Sequence, residues 1–239
     1  MVSAKEAKDW APEAFKGKLI DTFYTPYNKD GSVDLDSLRK LVRICLSDLK
    51  GDGVYATGTV SEFWALTKEE RKAIMETVID ETQKVKPNAI KVAHTATTCA
   101  KDCVELTNYA KELGYDAVII LTPYFEAHGE QGVYEFYKYI ADRTDIAIIL
   151  YNSGATGFVY SPKFVADIYN KIPAICGIKN GIFQPRHSIE IRKLCPNIVI
   201  WECDFESAAF WGLQERGIVT PVLLGHLTYC FQRPGKLIF

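Results

Sequence analysis

A parallel β/α barrel, (β/α)8, in a single domain is the fold that this sequence predicts, and three observations predict it. Short apolar runs alternate strictly with segments of helical period, which is the pattern of strands joined by crossover helices. Eight apolar runs occur, each repeating unit taking roughly 20 to 35 residues, enough to close a barrel. The doubly wound open sheet is the runner-up, but no Gly-x-Gly-x-x-Gly turn or P-loop follows any of the runs.

The units follow in order. Residues 1–17 are polar with isolated Trp10, Pro12 and Phe15, and are expected as an N-terminal arm ahead of a barrel over 18–239. Residues 18–25 form a strand-like run closed by Pro26 and a turn through Gly31. Leu35, Leu38, Leu41, Val42, Cys45, Leu46 and Leu49 then recur at helical spacing, which predicts a helix over 34–49. A strand at 53–57 is followed by Thr67-Lys-Glu-Glu, a capping box that opens a helix reaching about Val85.

The alternation continues with strands at 89–93, 117–121, 147–151, 175–179, 198–202 and 218–224. The helices between them are predicted at 98–113, 132–142, 162–171, 186–194 and 206–214.

Composition excludes several function classes. The 239 residues carry a net charge of −2 and no dense run of lysine and arginine, so no phosphate-backbone footprint and no nucleic-acid partner is expected. The N-terminal residues hold no apolar core of signal-peptide length and no stretch approaches a membrane span, which predicts a soluble cytoplasmic protein. Seven cysteines, at 45, 99, 103, 176, 195, 203 and 230, are odd in number and scattered, which fits reduced thiols rather than a disulfide framework. Cys99 and Cys103 share a helix face, but no further pair completes a zinc set, so no metal is expected.

In such a barrel chemistry lies at the carboxyl ends of the strands. The residues there are Thr25, the loop Gly58 to Glu62, His94, Thr95, Thr122 to Phe125, Tyr151, Asn152, Lys179, Glu202, Asp204, Gly225 and His226. Lys179 stands out, since it ends the apolar run Ala-Ile-Cys-Gly-Ile and precedes an Asn-Gly turn. A lysine between dry interior and open mouth has its ammonium form disfavoured, so the free amine is available to attack a carbonyl. Tyr151 ends the preceding strand and reads as a proton donor for that chemistry or as a packed tyrosine with its hydroxyl in water. Thr59 reads as a substrate-facing or a turn hydroxyl. The four histidines form no triad or ligand spacing and read as structural or surface residues. Glu62 reads as a buried carboxylate bonded to loop amides.

Four segments together resemble one family. Gly58-Thr59-Val60-Ser61-Glu62, continuing to Leu66-Thr67, is similar to the Gly-Thr-Thr-Gly-Glu loop of the dihydrodipicolinate synthase and N-acetylneuraminate lyase family. Tyr151-Asn152 with Thr156-Gly157, Gly177-Ile178-Lys179 and Thr122-Pro123-Tyr124 resemble three more of its segments, in the same order. The resemblance covers about residues 18–204. It implies a class I, metal-free aldolase or lyase that joins or cleaves a 2-oxo acid of the pyruvate type and an aldehyde, with no cofactor beyond a covalent lysine imine. It implies Lys179 as the nucleophile, Tyr151 as the proton shuttle, and Thr59 holding the tyrosine hydroxyl or the substrate carboxylate. Gly58, Val60, Tyr124 and Phe125 would be the further substrate-binding positions. It also implies a homo-oligomer, a dimer or a dimer of dimers.

The sequence departs from that pattern at four places. Val60 replaces a threonine and so removes one hydroxyl. Phe125 replaces a tyrosine which in the family reaches across a subunit interface into the proton relay. The loop Ser153-Gly154-Ala155 lacks the arginine that grips the carboxylate of aspartate semialdehyde, which argues against that partner. Val60, Phe63, Trp64 and Phe125 fit a hydrophobic or aromatic aldehyde instead. The helices that follow strand eight in the family are expected to be missing. Two readings therefore stand beside the aldolase: a 2-oxo sugar-acid dehydratase or hydratase on the same scaffold, and an impaired barrel kept as a binding or regulatory protein. A metal- or phosphate-using barrel with Glu202, Asp204 and His94 as ligands is a third.

Overall fold

The chain folds as a curled parallel sheet whose outer face is covered by helices, seen here in a computed structural model. The structure describes residues 2–126, 129–182, 184–202 and 223–224. The elements run α1 (Ala7–Phe15), β1 (Leu19–Thr22), α2 (Leu35–Arg43), β2 (Gly53–Ala56), α3 (Lys68–Val85), β3 (Ile90–His94), α4 (Ala100–Leu113) and β4 (Ala117–Leu121). They continue with α5 (Glu130–Ala141), β5 (Ala147–Ser153), α6 (Pro162–Lys171), β6 (Ile175–Gly181), α7 (Pro185–Leu194), β7 (Val199–Glu202) and β8 (Leu223–Leu224).

Every described strand pairing in the sheet is parallel, β1 through β7 standing in chain order and the two residues of β8 pairing on the far side of β1. No pairing of β7 with β8 occurs among the described residues. The expected helix at 206–214, the start of the expected eighth strand, and Asp204, Gly225 and His226 lie outside the described residues.

Local sequence explains the elements. The five residues of β4, Ala-Val-Ile-Ile-Leu, are all buried, because one face lines the interior of the sheet and the other meets helices. At the start of α3, Thr67 and Glu70 form the reciprocal capping box, with the Thr67 amide donating to Glu70 Oε2 at 2.8 Å. Ser161 caps α6 and Pro162 takes its first turn, where the missing amide hydrogen costs nothing. The helix expected over 34–49 ends at Arg43 and passes into a π-type turn, Ile44–Asp48, whose carbonyl of Ile44 accepts from the Leu49 amide at 2.9 Å.

The expected N-terminal arm is instead a helix built into the core. Ala7, Ala11 and Phe15, four residues apart, bury one face of α1 against β5, β6 and β7, and the Phe15 ring meets Trp201 edge-on at 5.0 Å. Pro12 sits inside this helix.

Candidate active site

The mouth of the sheet is organised by register. Leu121, Tyr151, Lys179 and Trp201 are successive partners across β4, β5, β6 and β7, so their side chains leave the sheet on one face. This row brings the two sequence-predicted catalytic residues together: Lys179 Nζ lies 3.6 Å from the centroid of the Tyr151 ring. Both side chains are almost fully buried. Gly177, two residues before the lysine, is closely packed, since a Cβ there would stand 3.0 Å from the Val199 carbonyl.

The loop after β2 reaches the same place. Thr59 Oγ1 donates to Tyr151 Oη at 3.2 Å. Gly58 is fixed by packing, because a Cβ on it would meet the Tyr55 ring at 2.7 Å. Thr57, just before it, holds a left-handed backbone at φ 54°, a costly conformation for a β-branched residue, and its hydroxyl donates to the His94 carbonyl at 2.8 Å.

A cleft of about 170 Å³ opens beside Tyr151, lined by Thr59, Phe63, Trp64, Leu121, Tyr124, Tyr151, Ser153 and Thr156. Its walls are mainly apolar and aromatic, with Tyr124 and Phe63 packed edge-on at 5.5 Å. Lys179 is not part of the lining; it lies against the Tyr151 ring.

One sequence expectation comes out differently, that for Glu62, and two expected substrate positions, Phe125 and Val60, do not line this cleft. Phe125 is 87% exposed and is not part of this cleft. Val60 is half-buried beside the cleft lining rather than in it. Glu62 is exposed, not buried among loop amides, because it starts a short 3-10 turn in left-handed conformation.

Behind the lysine row runs a second register row, of which Asn152 and Glu202 are among the strand-end candidates and Asn180 is not. Asn152, Asn180 and Glu202 are partners across β5, β6 and β7. Their side chains form a directed chain: the Tyr160 amide donates to Asn152 Oδ1, Asn152 Nδ2 to Asn180 Oδ1, Asn180 Nδ2 to Ser188 Oγ, and Ser188 Oγ to Glu202 Oε2. All these side chains are buried. The available signal was three amide or carboxylate residues, each directly after or at the end of an apolar run, where a strand bound only for packing carries none.

His94, at the end of β3, is fully buried among Tyr55, Phe63 and Tyr151. Burial, with the nearby charges of Arg71 and Lys179, holds its proton affinity well below the ordinary imidazole range, so the ring is neutral. Arg71 is itself buried, which pulls its guanidinium down to about 10, and its two Nη atoms donate to the carbonyls of Ala96 and His94 at 2.8 and 2.6 Å. Among the described residues no group of three or more metal-ligating side chains is gathered. Glu202 and His94 sit apart, one in the polar chain and the other among aromatic rings.

The curled parallel β/α scaffold is an architecture shared with solved proteins. The structure of N-acetylneuraminate lyase from Mycoplasma synoviae superposes with a TM-score of 0.78 at 23% identity, over 88% of this chain and 69% of that one. YagE, a prophage protein of the dihydrodipicolinic acid synthase family from E. coli K12 solved with pyruvate, gives 0.79 at 24%, over 88% and 70%. These likenesses show the fold. Residues 15–219 match the Dihydrodipicolinate synthetase family, and the chain belongs to that family.

Curated relatives agree with that membership. The 4-hydroxy-tetrahydrodipicolinate synthase of Legionella pneumophila is 35% identical over 210 residues, 86% of this chain and 70% of the relative. The enzyme of the same name from Desulforudis audaxviator is 32% identical over 182 residues, 76% of this chain. The match spans only 60% of the Desulforudis relative's length. No helix among the described residues is long and apolar enough to cross a membrane.

Proposed function

We propose that this protein is a lyase or aldolase that forms a Schiff base between Lys179 and a 2-oxo acid of the pyruvate type, and joins that acid to an aldehyde or releases it from one. The single observation that carries this reading is the pairing of Lys179 with Tyr151 in one register row, with the Tyr151 hydroxyl held by Thr59. Family membership supports it, since enzymes of the family use a lysine imine with pyruvate and need no external cofactor.

Each residue then has a task. The Lys179 amine attacks the 2-oxo carbon, and Tyr151 Oη carries protons to and from the carbinolamine oxygen as water leaves. Thr59 fixes the direction of that phenol. The iminium withdraws electrons from C3, so a C3 proton departs and the resulting enamine attacks the aldehyde carbon; the reverse sequence cleaves the same bond. Tyr151 is the proton carrier in both directions, and the burial of the lysine keeps bulk water from the intermediate.

The second substrate in this reading is a hydrophobic or aromatic aldehyde rather than aspartate semialdehyde. Phe63, Trp64, Leu121 and Tyr124 wall the cleft, and the loop at 153–155 contributes no arginine to hold a second carboxylate. We further infer that the sheet closes into a (β/α)8 barrel, that the chain self-associates and that it works in the cytoplasm. A condensation panel with pyruvate and a series of aldehydes, read by product mass, tests the substrate assignment. Aromatic and branched aliphatic aldehydes should give adduct products; faster turnover with aspartate semialdehyde than with any of them would overturn it.

A further inference from the structure

Sheet register decides whether Lys179 faces Tyr151. At the start of the β5–β6 ladder Ile148 pairs with Ile175, and the next pair is Ile149 with Gly177, so Cys176 is an extra residue on β6, a bulge. Continued without it, the ladder would set Tyr151 opposite Ile178 and Asn152 opposite Lys179. A slip of one residue moves a side chain to the other face of the sheet, so the lysine would leave on the helix-covered side, away from the Tyr151 ring. The 3.6 Å approach of Lys179 Nζ to that ring therefore depends on a shifted register.

Apolar packing does not select that register. Leu150, Ile178 and Ile200 are partners on the outer face and fully buried, but apolar contact is non-directional. The next row on the same face is Asn152, Asn180 and Glu202, residue types that a sheet face covered by helices does not need for packing. Asn152 Nδ2 donates to Asn180 Oδ1 at 3.2 Å, joining the two residues that directly follow Tyr151 and Lys179. The other ends of the two amides are tied outside the sheet: Asn152 Oδ1 accepts from the Tyr160 amide at 3.0 Å, and Asn180 Nδ2 donates to Ser188 Oγ on α7 at 2.8 Å. A directional bond between paired positions is made in one register and broken in the other, and a buried amide left unpaired is strongly unfavourable.

Resting on the Schiff-base reading above, we propose that Asn180, through its side-chain bond to Asn152, is a positioning residue that holds the bulged register of β6 and so keeps Lys179 over Tyr151. Its side chain leaves the strand on the face opposite to the lysine and does not line the cleft, so it acts through register and not on the reacting atoms. Setting register is the best-attested use of buried, hydrogen-bonded polar groups. Cys176 and Gly177 complete the device at the other end of the strand: Cys176 Sγ donates to the Ile148 carbonyl at 3.5 Å, and Gly177 leaves room for the Val199 carbonyl.

Borohydride quenching at successive times after mixing with pyruvate gives the rate of imine formation on Lys179, both at saturation and as a function of concentration. Asn180→Leu keeps the approximate shape of the residue and removes its bonds. It should lower the saturating rate roughly ten- to a hundredfold, the effect of a misplacement of about an ångström, and leave the half-saturating concentration within about threefold. Asn180→Asp, which keeps an acceptor for Asn152 Nδ2, should recover most of the rate. Combining Asn180→Leu with Tyr151→Phe separates positioning from plain stability. If Asn180 acts through the lysine–tyrosine geometry, the double variant should be slower than Tyr151→Phe by no more than about threefold, since both losses fall on one contact.

An asparagine that only stabilises the fold behaves otherwise: its loss of rate multiplies with that of Tyr151→Phe, or no rate is lost, and either result overturns the assignment. A loss in Asn180→Asp as large as in Asn180→Leu overturns it too. Should Asn180→Leu not fold, the unsubstituted protein still decides. The Asn152 side-chain N–H that meets Asn180 should exchange with solvent deuterium no faster than the backbone amides of β6, and exchange about a hundredfold faster overturns the proposal. An unsubstituted protein that forms no adduct on Lys179 overturns the Schiff-base reading and this inference together. Normal trapping that the Asn180 variants leave unchanged overturns this inference alone.

Discussion

Ser188→Ala probes the polar chain that anchors the strand carrying the lysine. The hydroxyl accepts from Asn180 Nδ2 at 2.8 Å and donates to Glu202 Oε2 at 2.6 Å, and all three residues are buried. Removing it takes away a hydrogen bond to a carboxylate, about 1.5–3 kcal/mol, and leaves the Asn180 amide short of an acceptor, about 1 kcal/mol more. The expected loss is therefore about 3 kcal/mol, a large part of the total stability of an ordinary domain.

Equilibrium urea unfolding followed by far-ultraviolet circular dichroism reads this as a lower midpoint at unchanged slope. Glu202→Gln keeps an acceptor for Ser188 and costs less. The double variant should cost at least about 1 kcal/mol less than the sum of the singles, because both act on one contact. A Ser188→Ala loss below about 0.5 kcal/mol, with additive behaviour in the double variant, would refute the view that this chain is a connected unit.

Other outcomes follow from single contacts. Tyr151→Phe removes the proposed proton carrier and should lower kcat roughly 10²- to 10⁴-fold with the packing of Lys179 retained; steady-state kinetics within about fivefold of the unsubstituted protein would contradict that role. Gly53→Ala places a Cβ 2.5 Å from the Ile90 carbonyl and 2.6 Å from Ile20 Cδ1. The first contact is backbone, so β2 and β3 must part, and the urea midpoint should fall by the equivalent of about 2–3 kcal/mol.

Glu105 is held down to about 2, from 4.5, by hydrogen bonds from Lys68 and Lys72. A carboxylate depressed on folding adds stability above its unfolded value, and that stability is lost as pH falls from about 4.5 toward 2. Glu105→Gln should flatten the acid limb of the stability profile in that window and leave it unchanged in shape above pH 6, as thermal melts across pH would show.

Much of the fold was legible because its strands are buried on both faces. The runs at 117–121 and 162–171 fall at the observed limits of β4 and α6, since an all-apolar strand and a Ser-Pro helix start leave little ambiguity in local sequence. Helix α1 was read as an arm because its composition is polar and Pro12 interrupts it. Its burial comes from three residues, Ala7, Ala11 and Phe15, whose partners on β5 to β7 lie far along the chain. The π-type turn after α2 is equally invisible to periodicity, which continues through Cys45 and Leu46 into the segment.

The site divides the same way. Lys179, Tyr151 and Thr59 were legible because a strand-end lysine, a strand-end tyrosine and a glycine-flanked threonine carry chemical meaning by type and place, and register does bring them together. Glu62 was misplaced because loop direction is set by backbone conformation, here its own left-handed turn, and not by residue type. The Asn152 to Glu202 chain depends on cross-strand register, which is not written in any local window.

The most direct test of the account is covalent. The protein is incubated with pyruvate, reduced with borohydride, and examined by intact and peptide mass. A single pyruvyl adduct on Lys179, lost in Lys179→Ala, is the expected result. A folded protein that forms no adduct with pyruvate or with larger 2-oxo acids, or forms it on another lysine, would contradict it.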